Sequence, residues 1–158
     1  MAHLETEVPD FAASLTCLSA TGYEAVRSVV EADLAESYRS SAFINTDWDE
    51  VRRMFDSGNT IWFGSYTIAL DDAVGEIAAI SSVLAENHIH TISRAVVVIT
   101  GSNDRLGLTG TKAMCAALCD GLGLERWTFG VVHHDELSDR VRVTLLLEAR
   151  SPEGPVAG

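Results

Sequence analysis

Lysine is almost missing from this chain: of its 11 basic residues only Lys112 is a lysine, against 23 acidic residues and a formal charge of −12. A surface so short of positive charge repels phosphate backbones and anionic lipid headgroups, which argues against nucleic-acid or membrane-surface partners. Dense carboxylates with little lysine fit a protein living in concentrated salt, where screening within about 3 Å relieves their self-repulsion. Long apolar runs are lacking too, none approaching the ~20 residues that span a bilayer. The opening Met1-Ala-His-Leu-Glu-Thr-Glu7 has no positively charged leader region, so a cytoplasmic protein is expected. Cysteine is scarce and odd in number (Cys17, Cys115, Cys119), without the spacing of a disulfide framework. Cys115 and Cys119 share one face of a helical stretch and read as core packing, because a metal would need two further ligands.

What is present is apolar. At 47% hydrophobic residues over 158 positions, disorder is excluded and one domain with a proper core is expected. Within residues 1–20, Phe11, Leu15 and Leu18 recur at helical spacing after Pro9 and suggest a short helix. Thr21 and Glu24 form a capping-box pattern ahead of a stripe of Val26, Val29, Val30, Leu34 and Tyr38, predicting a long helix over 22–39. Asp47 can cap a short helix that turns Val51, Met54 and Phe55 inward.

Residues 60–70 are rich in β-formers and read as a strand. Asp71 and Asp72 are placed to cap a helix with the stripe Val74, Ile77, Ala78, Ser81 and Leu84. The run Arg94-Ala-Val-Val-Val-Ile-Thr100 suits a strand buried on both faces. A helix over 109–121, a strand over 127–132 and an alternating strand carrying Val141, Val143, Leu145 and Leu147 follow. The expected fold is α/β, a two-layer α+β sandwich with a four-stranded mixed sheet in the order β-α-β-α-β-β, preceded by a long helix. Strands separated by helices should run parallel, and the short link between the last two predicts an antiparallel hairpin. Residues 21–150 then form one domain, with an N-terminal segment 1–20 and a loose tail 151–158.

His88 and His90 precede the entry of the 94–100 strand, whereas His133 and His134 follow the exit of the 127–132 strand. Parallel strands put the two pairs at opposite ends of the sheet, roughly 20 Å apart at ~3.3 Å per residue, so they read as loop histidines and no metal is expected. Gly107-Leu-Thr-Gly-Thr-Lys112 does not meet the phosphate-loop spacing and reads as a strand-to-helix turn. No nucleophile elbow is present. The densest polar cluster is Ile44-Asn45-Thr46-Asp47-Trp48-Asp49-Glu50-Val51, which by itself reads as a helix cap in an acidic protein.

That stretch resembles the synergy loop of the tubulin/FtsZ family, Ile-Asn-x-Asp-Phe-x-Asp-Val, with Asn45, Asp47 and Glu50 at its Asn, first Asp and last Asp. Further likenesses follow in order. Gly58 to Leu70 with Asp71-Asp72 resembles the family's strand and the helix start Glu-Asp-Arg-Ala. Ala95-Val-Val-Val-Ile-Thr-Gly101 resembles Val-Leu-x-Asn-Ile-Thr-Gly. Phe129 to Thr144 resembles Phe-Gly-x-x-x-Asp-x-x-Leu-x-Asp-Glu-Val-Arg-Val-Thr. The resemblance covers residues 23–149, the family's core helix, synergy loop and C-terminal domain. Its GTPase half, with the loop Gly-Gly-Gly-Thr-Gly-Thr-Gly, has no counterpart here, so neither GTP binding nor any cofactor is carried over.

In family filaments the synergy loop of one subunit completes the site around another subunit's GTP, its carboxylates polarising the attacking water. The resemblance therefore implies an interaction loop at Asn45, Asp47, Asp49 and Glu50, no enzyme activity of its own, and a tubulin/FtsZ-type filament protein as partner. A self-assembling scaffold and an independent small-molecule enzyme are the alternatives, since a fold does not fix a function.

Overall fold

A computed structural model describes residues 15–18, 23–39 and 41–149. The elements are β1 (Leu15–Cys17), α1 (Tyr23–Ser37), α2 (Trp48–Phe55), β2 (Thr60–Ala69), α3 (Ala73–Glu86), β3 (Ile92–Gly101), α4 (Leu108–Leu122), β4 (Trp127–His133) and β5 (Arg140–Ala149). The four strands read from the sequence are all present and form a mixed sheet in an α/β fold.

The sheet order is β1-β2-β5-β3-β4. β3 pairs in parallel with β4, while β5 lies antiparallel to both β2 and β3. The expected β4–β5 hairpin is therefore not formed: β5 steps over β3 and inserts between β3 and β2. The reason lies in its side chains. Val143 through Ala149 are buried without interruption, and a strand buried on both faces belongs in the middle of a sheet rather than at its edge.

β1 is the second correction. Leu15–Cys17 is a short edge strand running parallel to Ile61–Phe63, where a helix was expected; Phe11 and the Thr21 cap lie outside the described residues. Consecutive residues of β3 face opposite layers: Val97 and Ile99 meet α3 and α4, Val96 and Val98 meet α1 and α2, and all four are at most 1% exposed. The expected two-layer unit of sheet plus α3 and α4 thus gains a third layer from α1 and α2.

Helix stripes follow the spacing with one exception. Val30 and Leu34 of α1, with Val51 and Met54 of α2, are buried. In α3 the buried set is Ile77, Ile80 and Leu84, while Val74 and Ala78 face outward. Asp71 and Asp72 lie in a 3-10 turn over Leu70–Asp72, and Asp72 makes no side-chain cap. Instead Glu76 reaches back to accept from Ala69 N at 2.9 Å. Among the described residues no helix is long and apolar enough to cross a membrane.

Candidate functional site

The loop between α1 and α2 is fastened on two sides. On the α1 side, Asn45 Nδ2 donates to Ser37 O at 3.1 Å and Arg39 O at 2.8 Å, and Thr46 N donates to Ser37 O at 3.2 Å. These bonds satisfy carbonyls that a helix end leaves without partners. On the sheet side, Ile44 and Val131 exchange hydrogen bonds of 3.1 and 2.8 Å, and Phe43 N also donates to Val131 O at 2.8 Å. Gly130 makes that approach possible, because a Cβ there would overlap Thr46 Oγ1 and press on Ile44 O.

From this anchor the chain enters α2. Asp47 is its N-cap, accepting from Asp49 N at 3.0 Å, as its position ahead of the apolar stripe predicts. Asp49 pairs with Arg52, and Glu50 with Arg53 at 3.0 Å, each one helical turn along. The four candidate residues are thus gathered at one helix start with separate duties. Asn45 holds α1, Asp47 caps α2, and Asp49 and Glu50 are engaged by arginines of their own helix. Behind them Trp48 meets Tyr38 edge-to-face at 4.6 Å, and burial, aided by Asp47, pushes the Tyr38 phenol well above its usual range.

Two polar clusters beside the loop escape a reading of local sequence. Asp33, 2% exposed, accepts from Arg142 Nε at 2.9 Å, Arg142 Nη2 at 2.7 Å and Thr144 Oγ1 at 2.6 Å. Donating to the Asp33 carboxylate raises the Arg142 pKa above its ordinary value. A carboxylate beside Leu34 on the buried stripe of α1 was the available signal, but its partners sit 109 and 111 positions away. Next to this pair, His134 Nε2 lies 3.0 Å from both Glu36 carboxylate oxygens and its Nδ1 lies 3.2 Å from Glu136. Hydrogen bonding to Glu36 and then Glu136 raises the His134 pKa against the opposing effect of burial.

The remaining candidates settle into structural places. His133 pairs with Gly101 at the far end of β3 from His88 and His90, so the histidine pairs are separated as the parallel strands require. Among the described residues no group of three or more His, Cys, Asp or Glu is placed to hold a metal ion. Gly107 opens α4 as a strand-to-helix turn. Cys115 and Cys119 are half-buried on α4, with Cys119 Sγ donating to Leu124 O at 3.1 Å. Burial, and then Cys119, raises the Cys115 pKa.

No protein-family model and no curated protein matches the chain. Solved structures do. A tryptophan-to-tyrosine variant of FtsZ from M. jannaschii is 22% identical with a TM-score of 0.59, the match covering 77% of this chain and 37% of that one. An empty FtsZ dimer from M. jannaschii is likewise 22% identical with a TM-score of 0.57, covering 74% and 35%. A protofilament of CetZ2 from Haloferax volcanii is 18% identical with a TM-score of 0.45, covering 78% and 40%. The two M. jannaschii structures show that the fold is FtsZ-like, and the chain spans well under half the length of each of these proteins.

Proposed function

We propose that this chain is a non-GTPase, FtsZ/tubulin-like protein of the cytoplasm. In this reading it binds the exposed nucleotide end of a tubulin/FtsZ-type filament subunit and regulates polymerisation or cell division. One observation carries the reading: the loop bearing Asn45 and Asp47 is clamped to both α1 and β4, so an exposed carboxylate is held at a fixed place at the start of α2. Pre-organisation of this kind is what a loop completing another molecule's site requires. That one of the similar structures is an FtsZ dimer adds support, since the fold there serves assembly.

Asp47 is the residue that would reach the partner. Asp49 and Glu50 are occupied by Arg52 and Arg53, and Glu50 carries one methylene more than the family's aspartate. In this reading the 158 residues correspond to the family's core helix and C-terminal domain, carrying the loop that resembles the synergy loop and no glycine-rich phosphate loop. A head-to-tail contact propagates only when both faces are present, so a one-faced binder acts as a cap. The test mixes the protein substoichiometrically with the filament protein of the same cell and follows light scattering and phosphate release. Shorter filaments that recover with Asp47→Arg are expected. Unchanged length and GTPase rate at several-fold excess overturn the reading in favour of a self-assembling scaffold.

A further inference from the structure

The outer edge of β2 is covered along only part of its length. β1 pairs with Ile61, Trp62 and Phe63, and Leu18 N donates to Phe63 O at 2.8 Å where the chain bends. Successive residues of a strand turn their amide and carbonyl to alternate sides, so Ser65 and Thr67 direct theirs the same way as Phe63, away from β5. Among the described residues nothing bonds to these backbone groups on that side. Ala69 N, next along the row, is covered by the Glu76 carboxylate at 2.9 Å. Beside the open stretch lies a groove of about 310 Å³, with Tyr66 and Ile68 of β2 on one wall and Glu76, Ala79 and Val83 of α3 on the other.

We infer that this flank is the contact between two copies of the chain, β2 pairing antiparallel with β2 of the second copy about a two-fold axis, so that two sheets become one. Natural sheets blunt a free edge with lysine, proline, an inward charge or a bulge. The ten residues of β2 carry no charge and no proline, and their register with β5 is unbroken. Charge selects the occupant. In a chain with 22% charged residues and a net charge of −12, an ordinary stretch of surface repels a second copy. This flank does not. The exposed face of α3 beside the edge is Gly75, Ala78, Ala79, Ser82 and Ala85, with Asp72 and Glu86 only at the two ends of the helix. A strongly charged partner finds little there to pair with, whereas a neutral surface set on a two-fold axis matches itself. The small side chains also let the two α3 helices, brought side by side by the joined strands, approach closely. The loop bearing Asp47 is clamped to β4, at the opposite edge of the sheet, so both loops stay free in the dimer. The dimer does not rest on the filament reading, and the two fail separately.

The experiment takes the isolated full chain at about 100 μM in about 1 M salt, where repulsion between carboxylates is screened, and combines light scattering with amide exchange. A mass of two chains, with the Ser65 and Thr67 amides protected and exchanging faster on dilution, supports the inference. Ala79→Glu brings two like charges together near the axis and should weaken the dimer about tenfold or more. Ala79 is exposed in mid-helix and glutamate is a good helix former, so this variant folds. Thr67→Pro removes an amide that faces away from β5, a place where an edge strand tolerates proline, and should weaken the dimer likewise. A wild type that stays monomeric with both amides exchanging freely overturns the inference. A monomer in which Ser65 and Thr67 are protected also overturns it, by giving the edge to another part of the same chain. A dimer that Ala79→Glu leaves intact lies on another surface and overturns it. One that Ala79→Glu breaks but Thr67→Pro does not overturns the strand pairing.

Discussion

Arg142 of β5 and Asp33 of α1 meet through two parallel hydrogen bonds, 2.9 and 2.7 Å long, that tie the central strand to the helix leading into the loop. Thr144 donates a third bond to the same carboxylate and is itself 3.0 Å from Ser65 of β2, so the pair is embedded in a chain of polar groups under α1. A buried charge is tolerated only when its partners are complete.

Removing one member of that pair is therefore more harmful than removing both. Arg142→Ala strands the Asp33 carboxylate and is expected to cost about 3 kcal/mol in denaturant unfolding, whereas Asp33→Leu combined with Arg142→Met recovers most of the loss. A double variant as unstable as Arg142→Ala refutes this account.

His134 makes the α1 contact depend on pH. Its folded-state pKa is raised above the ordinary 6.5, so its contribution is fully present below about pH 6.5 and is lost as pH rises through the folded value. Glu136 is lowered from 4.5, by hydrogen bonding to its own backbone N–H first and to His134 next, so its share is present above that value and is lost on acidification. Thermal unfolding across pH 5 to 9, on the order of one melt per half unit, should show a decline in Tm on the alkaline side that His134→Gln flattens. Parallel curves for the two proteins rule out a stabilising contact of His134 with Glu36.

Gly130 is the point where the sheet touches the loop. Gly130→Ala drives a methyl into Thr46 and Ile44 O, and is expected to cost about 1–3 kcal/mol while raising amide exchange over 43–47. Asn45→Ala should raise exchange over the same residues at a smaller cost, about 1 kcal/mol, because it removes the side-chain bonds to the carbonyls of Ser37 and Arg39 while Thr46 N and Ala42 N still donate to them. Exchange confined to β4 in the glycine variant would separate sheet from loop and contradict the clamp.

Titration of this chain with GTP by calorimetry, with and without Mg²⁺, is expected to give no saturable heat, since no segment of it offers a glycine-rich phosphate cradle. Micromolar binding would falsify that expectation and return the nucleotide to this chain.

The parts that local pattern reveals are those governed by burial. Val96 to Ile99 announce a two-sided interior strand because no other environment covers four consecutive branched side chains. The same signal lies in Leu145, Leu146 and Leu147, but the short connection after β4 points to a hairpin, and here burial decides over connection length. β1 was hidden because Leu15 and Leu18 fall at a helical interval, and three residues are too few for a period to declare itself. At the loop, Asp47 as a cap is a local property and was legible. Asn45 bonding to Ser37 and Arg39, and His134 to Glu36, depend on where α1 ends relative to the sheet, which no window of sequence contains.

The placement of β5 also orders events during synthesis. β2 and β3 emerge from the ribosome long before the strand that joins them, and each must wait with one edge and its apolar neighbours unpaired until residues 140–149 follow. A nascent chain that has reached only α4 holds helices and strands whose sheet has a vacant centre. Such a chain is the species most exposed to aggregation and most dependent on chaperones. Slowing translation before residue 140 lengthens that interval, and the loop site, clamped to α1 and β4, acquires its final geometry only when the last described strand closes the sheet.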